Sequence, residues 1–166
     1  MNKQGFTLVE LLGVIVILSI IMLIAIPNVT SVLEKNKREN YLADAKKLVT
    51  QVEYEIRSSN IEKPSSTEIL KISLSYIGTS DVSKDSDGNK YDTTNSYVAV
   101  VRKNGYLEYY VNLVTTVDGK NKGIRLVNKD ELNSDKKLTL IKQGFSNPTD
   151  AEIQTITGIS GTIKPY

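Results

Sequence analysis

The chain has no cysteine, no histidine and no tryptophan among its 166 residues. Without cysteine no disulfide can hold the fold, and no thiolate can attack a substrate or bind a metal. Without histidine no imidazole is available as a base, and the usual zinc ligands are missing together. No glycine-rich phosphate loop interrupts the sequence. Net charge is +2, or +1 without Lys3, which is too small to argue for a nucleic-acid partner. These absences remove the commonest designs for an enzyme, so no enzymatic activity and no resident cofactor are expected.

One thing is abundant. From Leu11 to Ile26 only Gly13 and Ser19 break a continuous apolar run. Counted from Phe6, the run has a single charge, Glu10, and is roughly 31 Å long as a helix, enough to cross a bilayer core. Five residues precede it, Met1-Asn2-Lys3-Gln4-Gly5. A secretory signal peptide places small residues after its apolar core. Here the core ends in Ile24-Ala25-Ile26-Pro27-Asn28, and the small residue, Gly5, stands before it. A carboxylate inside an apolar helix costs roughly 2.5–3.5 kcal/mol and is retained where it has a task; the plainer reading is a snorkelling or protonated side chain.

Gly5-Phe6-Thr7-Leu8-Val9-Glu10-Leu11-Leu12 resembles the cleavage and methylation site of type IV prepilins. The resemblance covers roughly residues 3–30 and includes Pro27, about twenty residues into the mature chain. It implies that a prepilin peptidase cuts after Gly5 and methylates the new amine of Phe6. It implies a subunit that waits in the membrane and is then drawn by an inner-membrane assembly machinery into a homo-oligomeric helical filament. Glu10 and Pro27 are then assembly residues, and Glu10 is the countercharge for a Phe6 amine. Pilins of Gram-negative bacteria often close a C-terminal loop with a disulfide; the lack of cysteine departs from that and points to a Gram-positive source. Lys35, Lys37 and Arg38 after the span outnumber Lys3 and the initial amine before it, which by the positive-inside rule favours the opposite orientation. The motif outweighs that count, and the C-terminal bulk is expected outside the cell.

The rest of the chain divides by period. Residues 1–5 are the leader, 6–29 the membrane and filament-core half of a long helix, 30–60 its amphipathic half, and 61–166 a globular head. In the second half Leu42, Ala45, Leu48, Val49, Val52 and Ile56 recur at helical spacing, opposite Asp44, Lys47, Gln51, Glu55 and Ser58. Pro27 is expected to kink the helix between its halves. Ser65-Ser66-Thr67-Glu68 reads as the cap of a short helix running to about Tyr76 and stopped by Gly78. A polar loop over 79–95 leads into Tyr97–Arg102, rich in strand formers, and Asn104-Gly105 is a strong hairpin signal. Return strands are expected over 106–114 and 123–127, a helical turn or loop over 128–135, a fourth strand over 138–141, and a short helix over 149–156. The expected class is α+β: a long N-terminal helix packed on one face of an antiparallel sheet, as in type IV pilins.

Two head features carry chemical alternatives. Asp85, Asp87, Asn89 and Asp92, with Asp81 just before, cluster around Gly88 and suit Ca²⁺ by ligand type. Thr94 stands where an EF-hand loop needs a bidentate glutamate, and a solvated turn explains the same residues. Tyr97, Tyr106, Tyr109 and Tyr110 concentrate in the first hairpin, as packing pairs or as an adhesive face. The expected function is a structural subunit of a type IV pilus used for adhesion, motility or aggregation. A pseudopilin of a secretion or DNA-uptake system shares the same N-terminus. A monomeric membrane-anchored surface protein would have no use for Gly5, Phe6 and Glu10 together.

Overall fold

The computed structural model describes residues 7–78, 82–135 and 137–166. The chain forms two compact units, Met1–Asn36 and Lys37–Tyr166. Helix α1 (Leu8–Arg57) runs through both, with Pro27 inside it. Its end is set by Ser59, whose φ of 60° turns the chain out of the helix, while the Asn60 and Ile61 N–H groups return to the Glu55 carbonyl at 3.0 and 3.3 Å.

The second unit is built on a six-stranded sheet of order β5-β4-β3-β2-β1-β6. Its strands are β1 (Glu68–Ser73), β2 (Tyr97–Lys103), β3 (Tyr106–Val117), β4 (Lys120–Asn128), β5 (Ile141–Phe145) and β6 (Thr162–Pro165). All neighbours pair antiparallel except β1 and β6, which are parallel. The sheet is therefore mixed, where the sequence predicts a purely antiparallel one. The α+β class and the long helix stand as expected.

One face of the sheet is covered by the second half of α1. Tyr41, Leu42, Ala45, Leu48, Val49, Val52 and Ile56 are each at most 2% exposed. They share a core with Leu70, Ile72, Val98, Val100, Val111, Leu113 and Ile124. Burying each such side chain contributes about 1.5–3 kcal/mol. The other face is also covered, which the amphipathic pattern of α1 does not foretell. There Ile69, Tyr97, Ala99, Val101, Tyr110 and Leu126 close around Ile153 of helix α3 (Asp150–Thr157). This explains why Tyr97-Val98-Ala99-Val100-Val101 is apolar without alternation: β2 is buried on both sides. Helix α3 starts in a capping box between Thr149 and Glu152 and stops at Gly158 in the left-handed region.

Between Val111 and Leu113 the β3–β4 register shifts, so that Asn112 stands opposite two residues of β4. The fully buried Asn112 side-chain amide takes up one backbone group freed at the bulge and ties it to the loop before β2. It donates to the Asn95 carbonyl at 2.6 Å and accepts from the Leu126 N–H at 3.2 Å. Leu126 at the bulge has a φ of 43°.

Three assignments from sequence are corrected. Residues 68–73 form strand β1, and only Leu74–Ile77 are helical, as α2 with Ser73 as cap. Glu68 does reach back to the Ser65 N–H at 3.0 Å, as a capping glutamate would. Pairing of Ile69 with Val101 and Leu70 with Val100 nevertheless wins the segment for the sheet. Residues 137–140 form a 3₁₀ turn, and the fourth predicted strand begins only at Ile141. Strand β6 lies in a stretch, past the helix expected over 149–156, for which the sequence predicts no strand. Its entry depends on Gly161: a Cβ there would fall 1.5 Å from the Thr67 carbonyl oxygen.

Residues 37–166, expressed without the preceding half of α1, should unfold cooperatively as a soluble monomer, because the buried apolar residues all lie in that unit. In that fragment Gly161→Ala should cost about 2 kcal/mol or more in urea unfolding, and hydrogen exchange should rise first along β6 and β1. An unchanged midpoint would mean that β6 contributes nothing to the head.

Candidate assembly site

In the first unit every described residue from Thr7 to Asn36 is exposed. Leu8 is 82% and Leu23 78% exposed, and the flanking Val, Ile and Leu side chains are similar. The most apolar window of α1 has a mean hydropathy of 3.0, long and apolar enough by length and composition to cross a membrane. An apolar surface this continuous has to be covered by lipid or by other protein.

Its one charge, Glu10, sits in the first helical turn. Thr7 precedes the helix and closes a capping box on it. The Thr7 N–H and hydroxyl both donate to Glu10 Oε2 at 2.8 Å, and the Glu10 N–H donates to Thr7 Oγ1 at 3.3 Å. Sequence reasoning missed this, although Thr7-Leu8-Val9-Glu10 matches the S/T-x-x-E signature; the prepilin resemblance had absorbed the same residues. Gly5 and Phe6, the predicted cleavage and methylation residues, lie outside the described residues, as does the leader over 1–5.

Helix α1 continues on both sides of Pro27. Proline has no N–H to give the carbonyl of residue 23. Polar side chains gather just after it and bond the helix's own carbonyls. Asn28 donates to Ile24 at 3.2 Å, Thr30 to Ile26 and Pro27 at 3.3 and 3.0 Å, and Ser31 to Asn28 at 2.9 Å. Ser19 does the same toward Ile15 at 2.7 Å. Back-bonding of this kind lets polar residues sit in an apolar segment without an outside partner.

The candidate cation loop is differently engaged. Asp81 lies outside the described residues. Asp85, 7% exposed, accepts from the N–H groups of Asp87 and Asn89, the Asn89 amide and the Tyr41 hydroxyl at 2.8–3.2 Å. Asp87 binds Lys37 through one oxygen and Lys122 through the other, each at 2.7 Å. Asp92 accepts from the N–H groups of Thr94 and Asn95 and from the Asn95 amide, closing the next turn. Among the described residues no three acidic side chains stand together to hold a metal ion. Two lysine ammoniums hold Asp87 instead, and the Lys122 ammonium also lies 5.8 Å from the centre of the Tyr41 ring.

The tyrosines of the hairpin are mostly packed. Tyr97 and Tyr110 are buried, Tyr109 is half-buried, and only Tyr106, beside the Asn104-Gly105 turn, is exposed, at 79%.

Residues 1–26 match the model of the prokaryotic N-terminal methylation motif. The N-terminus is a prepilin-type processing signal. The chain is also similar to two proteins of Bacillus. It is 67% identical over 30 residues to the competence protein ComGC of Bacillus subtilis strain 168, and 60% identical over 30 residues to the ComG operon protein 3 homolog of Bacillus licheniformis. Each match covers 18% of this chain and 31% of the relative, so the chain spans about a third of the length of the relatives it matches, and most of its head lies outside the similarity. No solved structure matches the chain.

The Asp87 clamp has a pH signature. The Lys122 and Lys37 ammoniums hold its carboxyl below the usual aspartate range. A depressed folded-state pKa gives stability that is present above the unfolded value, about 3.9, and is lost as pH falls through the folded one. Asp87→Asn should therefore lower the urea midpoint of the head at pH 7 and narrow its gap from the midpoint at pH 3. Equal midpoints for variant and wild type at pH 7 would show the clamp to be idle.

Proposed function

We propose that this chain is a structural subunit of a type IV pilin-like filament, processed by a prepilin peptidase and held in the membrane until assembly. The observation that carries the reading is the pairing of the methylation motif with a fully exposed apolar helix half whose only charge is Glu10. Cleavage after Gly5 leaves a positive amine on Phe6 in apolar surroundings. A lone buried charge is costly, and an opposite charge nearby offsets much of the cost. In a bundle of such helices the carboxylate of one subunit meets the amine of the next, and that pairing sets their axial register. The head stays outside the cell and forms the filament surface. No catalysis and no cofactor are assigned to it.

This assembly mode fits a surface pilus and also the pseudopilus of a secretion or DNA-uptake system. A surface pilus would serve adhesion, motility or aggregation. A filament of a DNA-uptake system would serve competence, and the similarity to the competence protein ComGC of Bacillus subtilis favours it. Their support extends only to the assembly mode, because the match is too short to carry the head. Loss of transformation, with surface adhesion unchanged, in cells lacking this chain is expected on the second reading; the reverse result supports the first.

Removing one partner of a buried pair costs about 3–5 kcal/mol, because the other charge remains unpaired. Glu10→Ala should leave the chain cleaved and membrane-bound but absent from sheared filaments, and Glu10→Gln should behave nearly as badly. N-terminal sequencing of wild-type filaments should begin at a methylated Phe6. A mature chain starting near Thr30, or wild-type filament levels from Glu10→Ala cells, would falsify the reading.

A further inference from the structure

Glu10 has to be tolerated in two situations, alone in the membrane and paired in a filament. The capping box supplies what the first situation lacks. Both hydrogen bonds from Thr7 converge on Oε2, each at 2.8 Å. Oε1 has no hydrogen-bond partner among the described residues. The carboxylate also lies in the first turn of α1, where the helix dipole favours negative charge. We infer that Thr7 is a positioning residue: it holds the Glu10 side chain turned toward the helix start through Oε2, and leaves Oε1 as the acceptor for an incoming ammonium. The inference rests on the filament reading and adds a residue to it.

The physical distinction is between capping and donation. As a cap, Thr7 only accepts from the Glu10 N–H, and a glycine cap is nearly as good. As a donor, its hydroxyl gives one of the two bonds on Oε2, and glycine and valine cannot replace it. Serine satisfies both roles. A charge-assisted hydrogen bond in apolar surroundings is stronger than a neutral one, and the cost of leaving the carboxylate short of a donor is correspondingly larger.

The test uses full-length chains in cells without the wild-type copy. Sheared filament is measured per cleaved, membrane-bound subunit for wild type, Glu10→Ala, Thr7→Ser, Thr7→Gly and Thr7→Val. Thr7→Ser should match wild type. Thr7→Gly and Thr7→Val should each fall about tenfold, with cleavage and membrane content unchanged. Wild-type filament from Thr7→Gly, with Glu10→Ala still devoid of filament, overturns the role of Thr7 and leaves the filament reading intact. A block to cleavage in Thr7→Gly but not in Thr7→Ser places the hydroxyl at the peptidase and overturns it as well. Failure of the wild-type chain to form filaments, or filaments from Glu10→Ala, is instead a failure of the filament reading.

Discussion

A helix that is apolar on every side cannot be left in water. The exposed Val, Ile, Leu and Met side chains of α1 between Leu8 and Leu33 represent a hydration cost on the order of tens of kcal/mol. Nothing among the described residues covers them. That constraint makes the first half of α1 a segment for lipid or for other helices, and it gives its few polar groups their significance. Ser19, Asn28, Thr30 and Ser31 turn inward to backbone carbonyls. Glu10 turns to Thr7. Each of these side chains thereby makes a local hydrogen bond, so that the segment can lie in an apolar phase before any partner arrives.

The second half of α1 obeys the opposite rule. Only one face is apolar, because the sheet supplies one surface to bury it. The sheet in turn needs a second cover, since β2 is apolar on both sides, and α3 provides it through Ile153. The head is therefore held by two cores separated by one sheet. Two buried polar side chains in it are well matched: Asn112 bonds the Asn95 carbonyl and the Leu126 N–H at the bulge, and Asp85 closes its turn while accepting from Tyr41. Burial of the Tyr41 and Tyr91 hydroxyls, beside Asp85 and Asp44 respectively, raises their pKa and keeps them neutral as donors.

Both halves of α1 were legible in the sequence because each is long enough for its period to be counted. The first hairpin was legible because Asn104-Gly105 dictates its turn. Strand β1 was not, since Ile69, Leu70 and Ile72 fit a helical stripe as well as an extended one and Ser65–Glu68 mimics a cap. Its true partner, Ala99 to Val101, lies some thirty residues downstream. Strand β6 was hidden for a similar reason: its parallel partner is about ninety-four residues upstream, and its four residues end in proline. The acidic loop was read by ligand type alone. What engages Asp87 are Lys37 and Lys122, which come from two other elements and carry no local signal.

The division of α1 also separates two kinds of evolutionary freedom that physics would impose. A helix that must pair its charge with that of its neighbour can change little without losing register, because one charge without its partner is costly in apolar surroundings. A head whose fold depends on its own two cores can change its surface and its length without disturbing that pairing. The similarity to the two shorter Bacillus proteins is strong over 30 residues and leaves at least four-fifths of this chain unmatched. That is the pattern expected if assembly is the shared constraint and the head is where members of such a group differ. On the reading proposed above, the particular task of this chain is to be sought on the exposed surface of its head, around Tyr106, while its assembly depends on the first turns of the helix.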